Sequence, residues 1–150
     1  MVMTTEIKSF DELTNLELYA IIRLRNEVFV VEQDCVFQDA DDKDQLAYHV
    51  MIKSKDSLVA YARVLPAGLT FNEVSIGRVV SDKSARGTGV GRRLMKDSLS
   101  FISEKFGKCE VRIGAQTYLL SFYKSLGFIE AGDVYLEDGI EHMEMTTKLG

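Results

Sequence analysis

The stretch from Ser75 to Leu94, SIGRVVSDKSARGTGVGRRL, constrains the fold of this chain more than any other. An apolar, strand-like run is followed by a short polar turn with glycine at positions 87, 89 and 91, and then by an amphipathic pattern. The pattern predicts a long helix that ends at Gly107. Strand, glycine turn and helix together form a general phosphate-binding device, because glycines let an anion reach the unpaired N–H groups of the helix N-terminus.

Two familiar phosphate-binding signatures do not fit this turn. The dinucleotide signature G-x-G-x-x-G needs its third glycine at the position that Arg92 occupies. A P-loop needs lysine followed by serine or threonine after its last glycine, where this chain has Arg92-Arg93. What remains is Arg86-x-x-Gly89-x-Gly91. From the turn alone, a coenzyme-binding loop and a glycine turn that only packs a helix against its strand both stay open.

The order of elements along the chain predicts a mixed α/β sheet covered by helices. One hundred and fifty residues with a single proline and no linker-like stretch predict one domain over residues 1–150. Strands are predicted at 4–10, 46–54, 57–65, 71–80, 109–115, near 128–137 and at 141–149, and helices at 15–31, from the glycine turn to 106, and at 117–126.

Composition excludes several function classes. The net charge of −5 argues against general nucleic-acid binding, although four cations lie between positions 86 and 96, where a small anion would bind. No apolar run reaches the roughly 18 residues of a membrane span. The N-terminus lacks the pattern of a signal peptide, and Cys35 and Cys109 lack metal-ligand or redox spacing. We therefore expect a cytoplasmic protein with no metal and no nucleic-acid or membrane partner.

The glycine turn resembles the acetyl-CoA loop of the GNAT (Gcn5-related N-acetyltransferase) superfamily, Gln/Arg-x-x-Gly-x-Gly/Ala. A second motif lies in GAQTYLLSFYKSLGF. Family members commonly carry Asn, then Tyr seven residues later, then Gly-Phe. Here Gln116, Tyr123 and Gly127-Phe128 stand at those places; Gln for Asn is a departure that keeps the amide. With LRNEVFVVEQ, IGRVVS and EDGIEHMEM, nearly the whole chain is similar to the ElaA-type subgroup.

The resemblance implies a mixed, mostly antiparallel twisted sheet, splayed in a V between strands 4 and 5 and flanked by helices on both faces. Acetyl-CoA, as cosubstrate, would lie in the splay. Its pantetheine arm would pair with the main chain of Val79 and Val80. Further cofactor-binding residues implied are Gln116, Tyr123 and the loop itself, Arg86, Gly87, Thr88, Gly89, Val90, Gly91 and Arg92.

The implied activity is acetyl transfer from acetyl-CoA to a primary amine, of a small-molecule acceptor, directly within a ternary complex. Tyr123 would protonate the leaving thiolate; its alternative is a core aromatic residue. Glu73, Glu32, His142 and His49 are candidate general bases, with a water relay and no single base as the alternative, and His142 is also a candidate acceptor-binding residue. Arg78 could anchor an acceptor carboxylate, pair with Glu32 or form a structural ion pair.

An acyl-CoA-binding sensor or regulatory module on the same fold, without turnover, is the competing function. The sequence leaves open the identity of the acceptor, the base and the formation of a homodimer.

Overall fold

The computed structural model describes residues 2–150, which form an eight-stranded sheet with helices on both faces. The helices are α1 (Asn15–Arg25), α2 (Val90–Phe106) and α3 (Leu120–Lys124), and α1 continues into a π-helix, Asn26–Glu32. The strands are β1 (Thr4–Ser9), β2 (Tyr48–Ser54), β3 (Ser57–Leu65), β4 (Val74–Ser81), β5 (Cys109–Gln116), β6 (Ile129–Glu130), β7 (Tyr135–Glu137) and β8 (Ile140–Leu149).

The sheet has the order β1-β2-β3-β4-β5-β8-β6, and β7 pairs with β8. Every pair is antiparallel except β4 with β5, which is parallel. The predicted fold class, a mixed and mostly antiparallel sheet covered by helices, is confirmed. The parallel pair is where the two halves of the sheet meet.

The two faces of the sheet bury different helices because successive side chains of a strand point to opposite sides. On one face, α2 covers a large apolar core that includes Val50, Ile52 and Ala62. On the other face, α1 covers a smaller cluster that includes Met51 and Tyr61. A capping box at the start of α1 fixes the entry of that helix. The π-helix is thereby held over the α1 face of the sheet.

Two predicted elements differ from the structure. The helix predicted at 15–31 is α-helical only to Arg25, and its continuation is bonded at i→i+5, as from the N–H of Gln33 to the carbonyl of Val28 at 3.0 Å. Apolar spacing does not reveal one extra residue per turn. The strand region predicted near 128–137 is divided into β6 and β7. Of the helices within residues 2–150, none is long and apolar enough to cross a membrane.

Candidate functional site

The parallel pair of strands separates soon after it forms. β4 and β5 are in register only at Val74 with Val111 and at Ser75 with Arg112. Beyond these two pairs the strands diverge, and a cleft of about 890 Å³ lies between them. The predicted V-shaped splay between the fourth and fifth strands is therefore present. The residues of β4 from Ser75 to Ser81 line this cleft.

A β-bulge interrupts β4 at the same level. Tyr61 of β3 pairs with Val80, but Arg63, two residues on, pairs with Gly77, so β4 contains one more residue than its partner. Arg78 has φ +51°, in the left-handed region. Neither Arg78 nor Val79 has a register partner on β3 or β5. Val79 therefore has no strand partner on either side, and Val80 has one on β3 only. An edge without a strand beside it is the place where an extended, amide-bearing ligand can pair with a sheet.

The side chain of Arg78 points away from this edge into a cluster of six charges. Its Nε lies 2.9 Å from Oδ1 of Asp39 and its guanidinium stacks on Phe37 at 5.9 Å. Burial alone would raise the pKa of the Asp41 carboxyl, but hydrogen bonds from Arg63 hold that pKa well below its ordinary value. Three arginines meet three aspartates in this cluster: Arg25, Arg63, Arg78, Asp39, Asp41 and Asp44.

The glycine turn forms the N-terminus of the 17-residue helix α2. Gly87 and Gly89 have φ of +80° and +83°, and a Cβ built on either would meet nothing within 4 Å. The space in front of the first N–H groups of α2 is therefore open, as an anion requires. Val90 is buried in the core, so only its backbone is available, and Thr88 donates its hydroxyl hydrogen to the carbonyl of Ala85.

Arg86 and Glu32 form a bidentate ion pair across the mouth of the cleft. Nη1 and Nη2 of Arg86 lie 2.7 and 2.6 Å from the two carboxylate oxygens of Glu32, the last residue of the π-helix. Hydrogen bonding from Arg86 lowers the pKa of Glu32. Arg92, the other arginine expected at the loop, instead donates to the hydroxyl of Ser125 at 2.8 Å and lies over the ring of Phe122.

Tyr123 lies at the far side of the cleft, on α3. It is 5% exposed and packs edge-on against Phe122 and Phe128, with ring centroids 5.2 and 5.9 Å apart. Burial raises the pKa of Tyr123 to about 12, and no hydrogen bond within residues 2–150 engages its hydroxyl. Gln116, seven residues earlier, ends β5 and also lines the cleft.

His142 lies beside Gln116, its register partner on β5, and is 7% exposed. Its Nδ1 is 2.8 Å from the carbonyl of Ile140. Because a carbonyl only accepts, Nδ1 carries the hydrogen, and Nε2 of the neutral ring can accept a proton. Nε2 is 3.5 Å from a carboxylate oxygen of Glu137, and the ring stacks on Tyr135 at 5.8 Å.

Comparison with known proteins decides the family. A family model described as an acetyltransferase (GNAT) domain matches residues 19–149. The chain belongs to the GNAT family. It is 41% identical to the protein ElaA of Escherichia coli K12 over 140 residues, which are 92% of each chain. It is also 41% identical to a UPF0039 protein of Schizosaccharomyces pombe over 144 residues, 95% of each chain.

Solved structures agree with this assignment. The crystal structure of an acyl-CoA N-acyltransferase from Pseudomonas aeruginosa superposes with a TM-score of 0.93 at 38% identity, over 97% of this chain and 99% of that one. The structure of E. coli ElaA gives a TM-score of 0.92, also at 38% identity and the same coverage. The predicted family and its ElaA-type subgroup are confirmed.

The GNAT cleft brings together most, though not all, of the side chains predicted for it. Arg86, Gly91, Gln116, Tyr123, Val79, Val80, Arg78, Glu32 and His142 all line it. Outside the lining lie the loop residues Gly87, Thr88, Gly89, Val90 and Arg92. Glu73 is outside it as well: its carboxylate pairs with Arg112 at 3.1 Å, and hydrogen bonding from Arg112 lowers the pKa of Glu73. The suggested pairing of Arg78 with Glu32 is wrong, since Arg78 pairs with aspartates and Glu32 pairs with Arg86.

The sequence indicates that residues 32–46 and 135–143 shape the acceptor side of the cleft, but not which of their side chains face it. Tyr135 lies across β5, where a Cβ added to Gly114 would come within 2.7 Å of its hydroxyl oxygen. Phe29 and Phe37 line the same side. All three come from loops, a short strand or the π-helix, where spacing does not reveal which side chains turn inward. A glycine in the middle of a predicted strand, as at Gly114, is the sign that a neighbouring group approaches closely.

Proposed function

We propose that this GNAT protein is an N-acetyltransferase that moves the acetyl group of acetyl-CoA directly to a primary amine. The observation that carries the proposal is that β4 pairs with β5 only at Val74 and Ser75, so the edge of β4 beyond Ser75 has no strand beside it in the splay. The open glycine turn and the hydroxyl of Tyr123 border the same cleft. The acyl-CoA N-acyltransferase of P. aeruginosa, 38% identical, supports the reaction class.

The pantetheine arm would add to β4 as an extended strand, with the pyrophosphate at the first N–H groups of α2. The amine nitrogen attacks the thioester carbonyl, and the backbone N–H of Val79 donates a hydrogen bond to the oxyanion that forms. The tetrahedral intermediate then collapses, the C–S bond breaks, and the amide and the coenzyme A thiolate are released.

Tyr123 would act on the leaving thiolate. A phenol with a pKa of about 12 remains protonated across the working pH range. A thiol, with an ordinary pKa near 8.5, is a stronger acid than this phenol. Tyr123 therefore keeps its own proton and stabilises the departing sulfur by donating a hydrogen bond, so coenzyme A leaves as the thiolate.

The proton that the attacking amine loses needs an acceptor, and His142 fits best among the candidate bases. Glu32 is held by Arg86, and Glu73 lies outside the lining of the cleft. In the neutral ring of His142, Nε2 has a free lone pair because Nδ1 donates to Ile140. Once protonated, the imidazolium would pair with Glu137 at 3.5 Å.

The test is release of coenzyme A from acetyl-CoA in the presence of a panel of amines, followed with a thiol reagent. Tyr123→Phe should lower kcat by about 10²-fold, as for the loss of one hydrogen-bond donor to a developing anion, with a much smaller effect on the dissociation constant of acetyl-CoA. Tyr19→Phe, at an exposed position on α1, is the matched control. Tight binding of acetyl-CoA without transfer to any amine would instead favour a non-catalytic sensor of acyl-CoA.

A further inference from the structure

The part of the cleft on the α1 face is where an acceptor would enter, and its wall is aromatic. We call this part the acceptor pocket. On one side it is bounded by the π-helix and the loop that follows it, and on the other side by β7 and β8. Phe29 and Phe37 line it from the first side, Tyr135 from the second, and Phe71 from the loop before β4. Aromatic walls of this kind favour an apolar or aromatic body over a highly hydrated one.

The two arginines that line this pocket are already neutralised. Arg63 places Nη2 2.7 Å from Asp41 and Nη1 2.9 Å from Asp44. Arg78 lies 2.9 Å from Asp39 and 3.4 Å from Asp41. Three arginines and three aspartates in the cluster leave no net charge on it. An acceptor carboxylate placed here would find partly buried aspartates beside each guanidinium, so the arrangement disfavours it.

The remaining charges at the pocket favour a cation. Glu137 and Asp138, both exposed, line it at the end of β7, and Glu137 is paired only weakly, at 3.5 Å, with His142. Lys43 lies at the rim, where its ammonium donates to the hydroxyl of Thr70 at 3.2 Å. An amine arrives as an ammonium ion at neutral pH, and carboxylates at the entrance attract it.

We propose that the acceptor is an arylalkylamine, an inference that rests on the proposed function. Such an acceptor is a primary amine on a short linker to an aromatic or other apolar group, with no carboxylate beside the nitrogen. The aromatic wall takes the ring, and the carboxylates of β7 take the ammonium. The bound ammonium first loses one proton to solvent, and His142 accepts the second proton as the neutral nitrogen attacks acetyl-CoA.

Tyramine and tyrosine are the probes of choice because they differ only by the carboxylate. We expect kcat/KM to be at least tenfold higher for tyramine than for tyrosine. It should also exceed the value for spermidine and for an aminoglycoside, which are cationic without an apolar body. Equal or better use of tyrosine, spermidine or the aminoglycoside would overturn the proposal.

Charge reversal at the entrance supplies a second test. Glu137→Lys should lower the ratio of kcat/KM for tyramine to kcat/KM for tyrosine, because the new ammonium repels the amine and attracts the carboxylate. The dissociation constant of acetyl-CoA should not change. Glu104→Lys, on an exposed part of α2 and outside the lining, is the matched control. An unchanged ratio in Glu137→Lys would contradict the role assigned to β7.

A measurement of acceptor binding without turnover tests the acceptor class separately from the proposed acetyl transfer. Calorimetric titration into protein saturated with coenzyme A, which carries no acetyl group, reports acceptor binding without turnover. Binding of tyramine but not of tyrosine, with no acetylation of tyramine, would uphold the acceptor class and refute the transferase. Failure of tyramine to bind would refute the acceptor class, whether or not another amine is acetylated.

Discussion

Replacing Gly89 or Gly91 of the loop by alanine adds one methyl group, and the two replacements should change stability in opposite directions. Gly89 is the N-cap of α2 and has φ +83°, while Gly91 lies in the first turn of the helix without a positive φ. An L-residue in the left-handed region is disfavoured by ~1–2 kcal/mol, partly offset by ~0.4–1 kcal/mol because alanine restricts the unfolded chain. Gly89→Ala should therefore lower the free energy of unfolding by about 1 kcal/mol, a fall of roughly 3 °C in Tm for a chain of this length.

Gly91→Ala should do the reverse. A Cβ there would lie 3.6 Å from Cζ of Phe122, an ordinary contact, and alanine is favoured over glycine within helices by roughly 0.5–1 kcal/mol. Acetyl-CoA binding should weaken about tenfold, or about 1.4 kcal/mol, in Gly89→Ala, because the turn no longer holds its N–H groups open. It should change little in Gly91→Ala, a position where the GNAT motif allows alanine.

Thermal unfolding and calorimetric titration with acetyl-CoA measure both effects on the same samples. Gly132→Ala is the matched control, since Gly132 has no positive φ and open space around it. It should leave acetyl-CoA binding unchanged and raise stability only by the ~0.4–1 kcal/mol that alanine gains by restricting the unfolded chain. A Gly89→Ala protein as stable as the wild type, or a Gly91→Ala protein less stable than it, would refute the reasoning from backbone geometry.

Three further predictions concern charge and pH. Glu32→Gln should tighten acetyl-CoA binding a few-fold, because Arg86 is then free for the pyrophosphate; calorimetry checks this, and weaker binding would contradict it. Burial raises the pKa of Tyr123 to about 12, so ionisation of this phenol should not lower kcat below about pH 11. A loss of kcat at lower pH that disappears in Tyr123→Phe would contradict this. Burial alone would raise the pKa of Glu17, but hydrogen bonds from Lys53, the Thr14 backbone and Lys8 lower it from 4.5 to about 2. The unfolded chain therefore binds more protons, and the free energy of unfolding should fall as pH drops from 4.5 towards 2. Urea unfolding across that window measures this fall, which should be less steep in Lys53→Met. An equally steep fall in Lys53→Met would contradict the role assigned to the pair of Glu17 with Lys53.

The parts of the site that rest on short linear patterns could be predicted from the sequence. The loop from Arg86 to Gly91 and the seven-residue step from Gln116 to Tyr123 each lie within one strand-to-helix junction. Their local geometry follows from glycine and from helical spacing. The splay followed from the family resemblance, since nothing in β4 or β5 shows how far they pair.

What could not be predicted depends on contacts between residues distant in sequence. Arg78 contacts Asp39 across 39 positions, and Arg86 contacts Glu32 across 54. Asp39 and Glu32 belong to a stretch whose pattern is typical of a solvated acidic loop or a helix end. Folding brings the loop onto β3 and β4, and so converts these exposed-looking carboxylates into partners of two arginines in the cleft.

Titration of the wild-type protein with acetyl-CoA by calorimetry tests the central claim most directly, with Gly89→Glu as the comparison. If the splay and the glycine turn bind the cosubstrate, the wild type should bind one equivalent at micromolar level, and Gly89→Glu, which places a carboxylate in the pyrophosphate path, should not bind. A folded wild-type sample that shows no binding would mean that the turn only packs α2 against β4, and the proposal of acetyl transfer would fail with it.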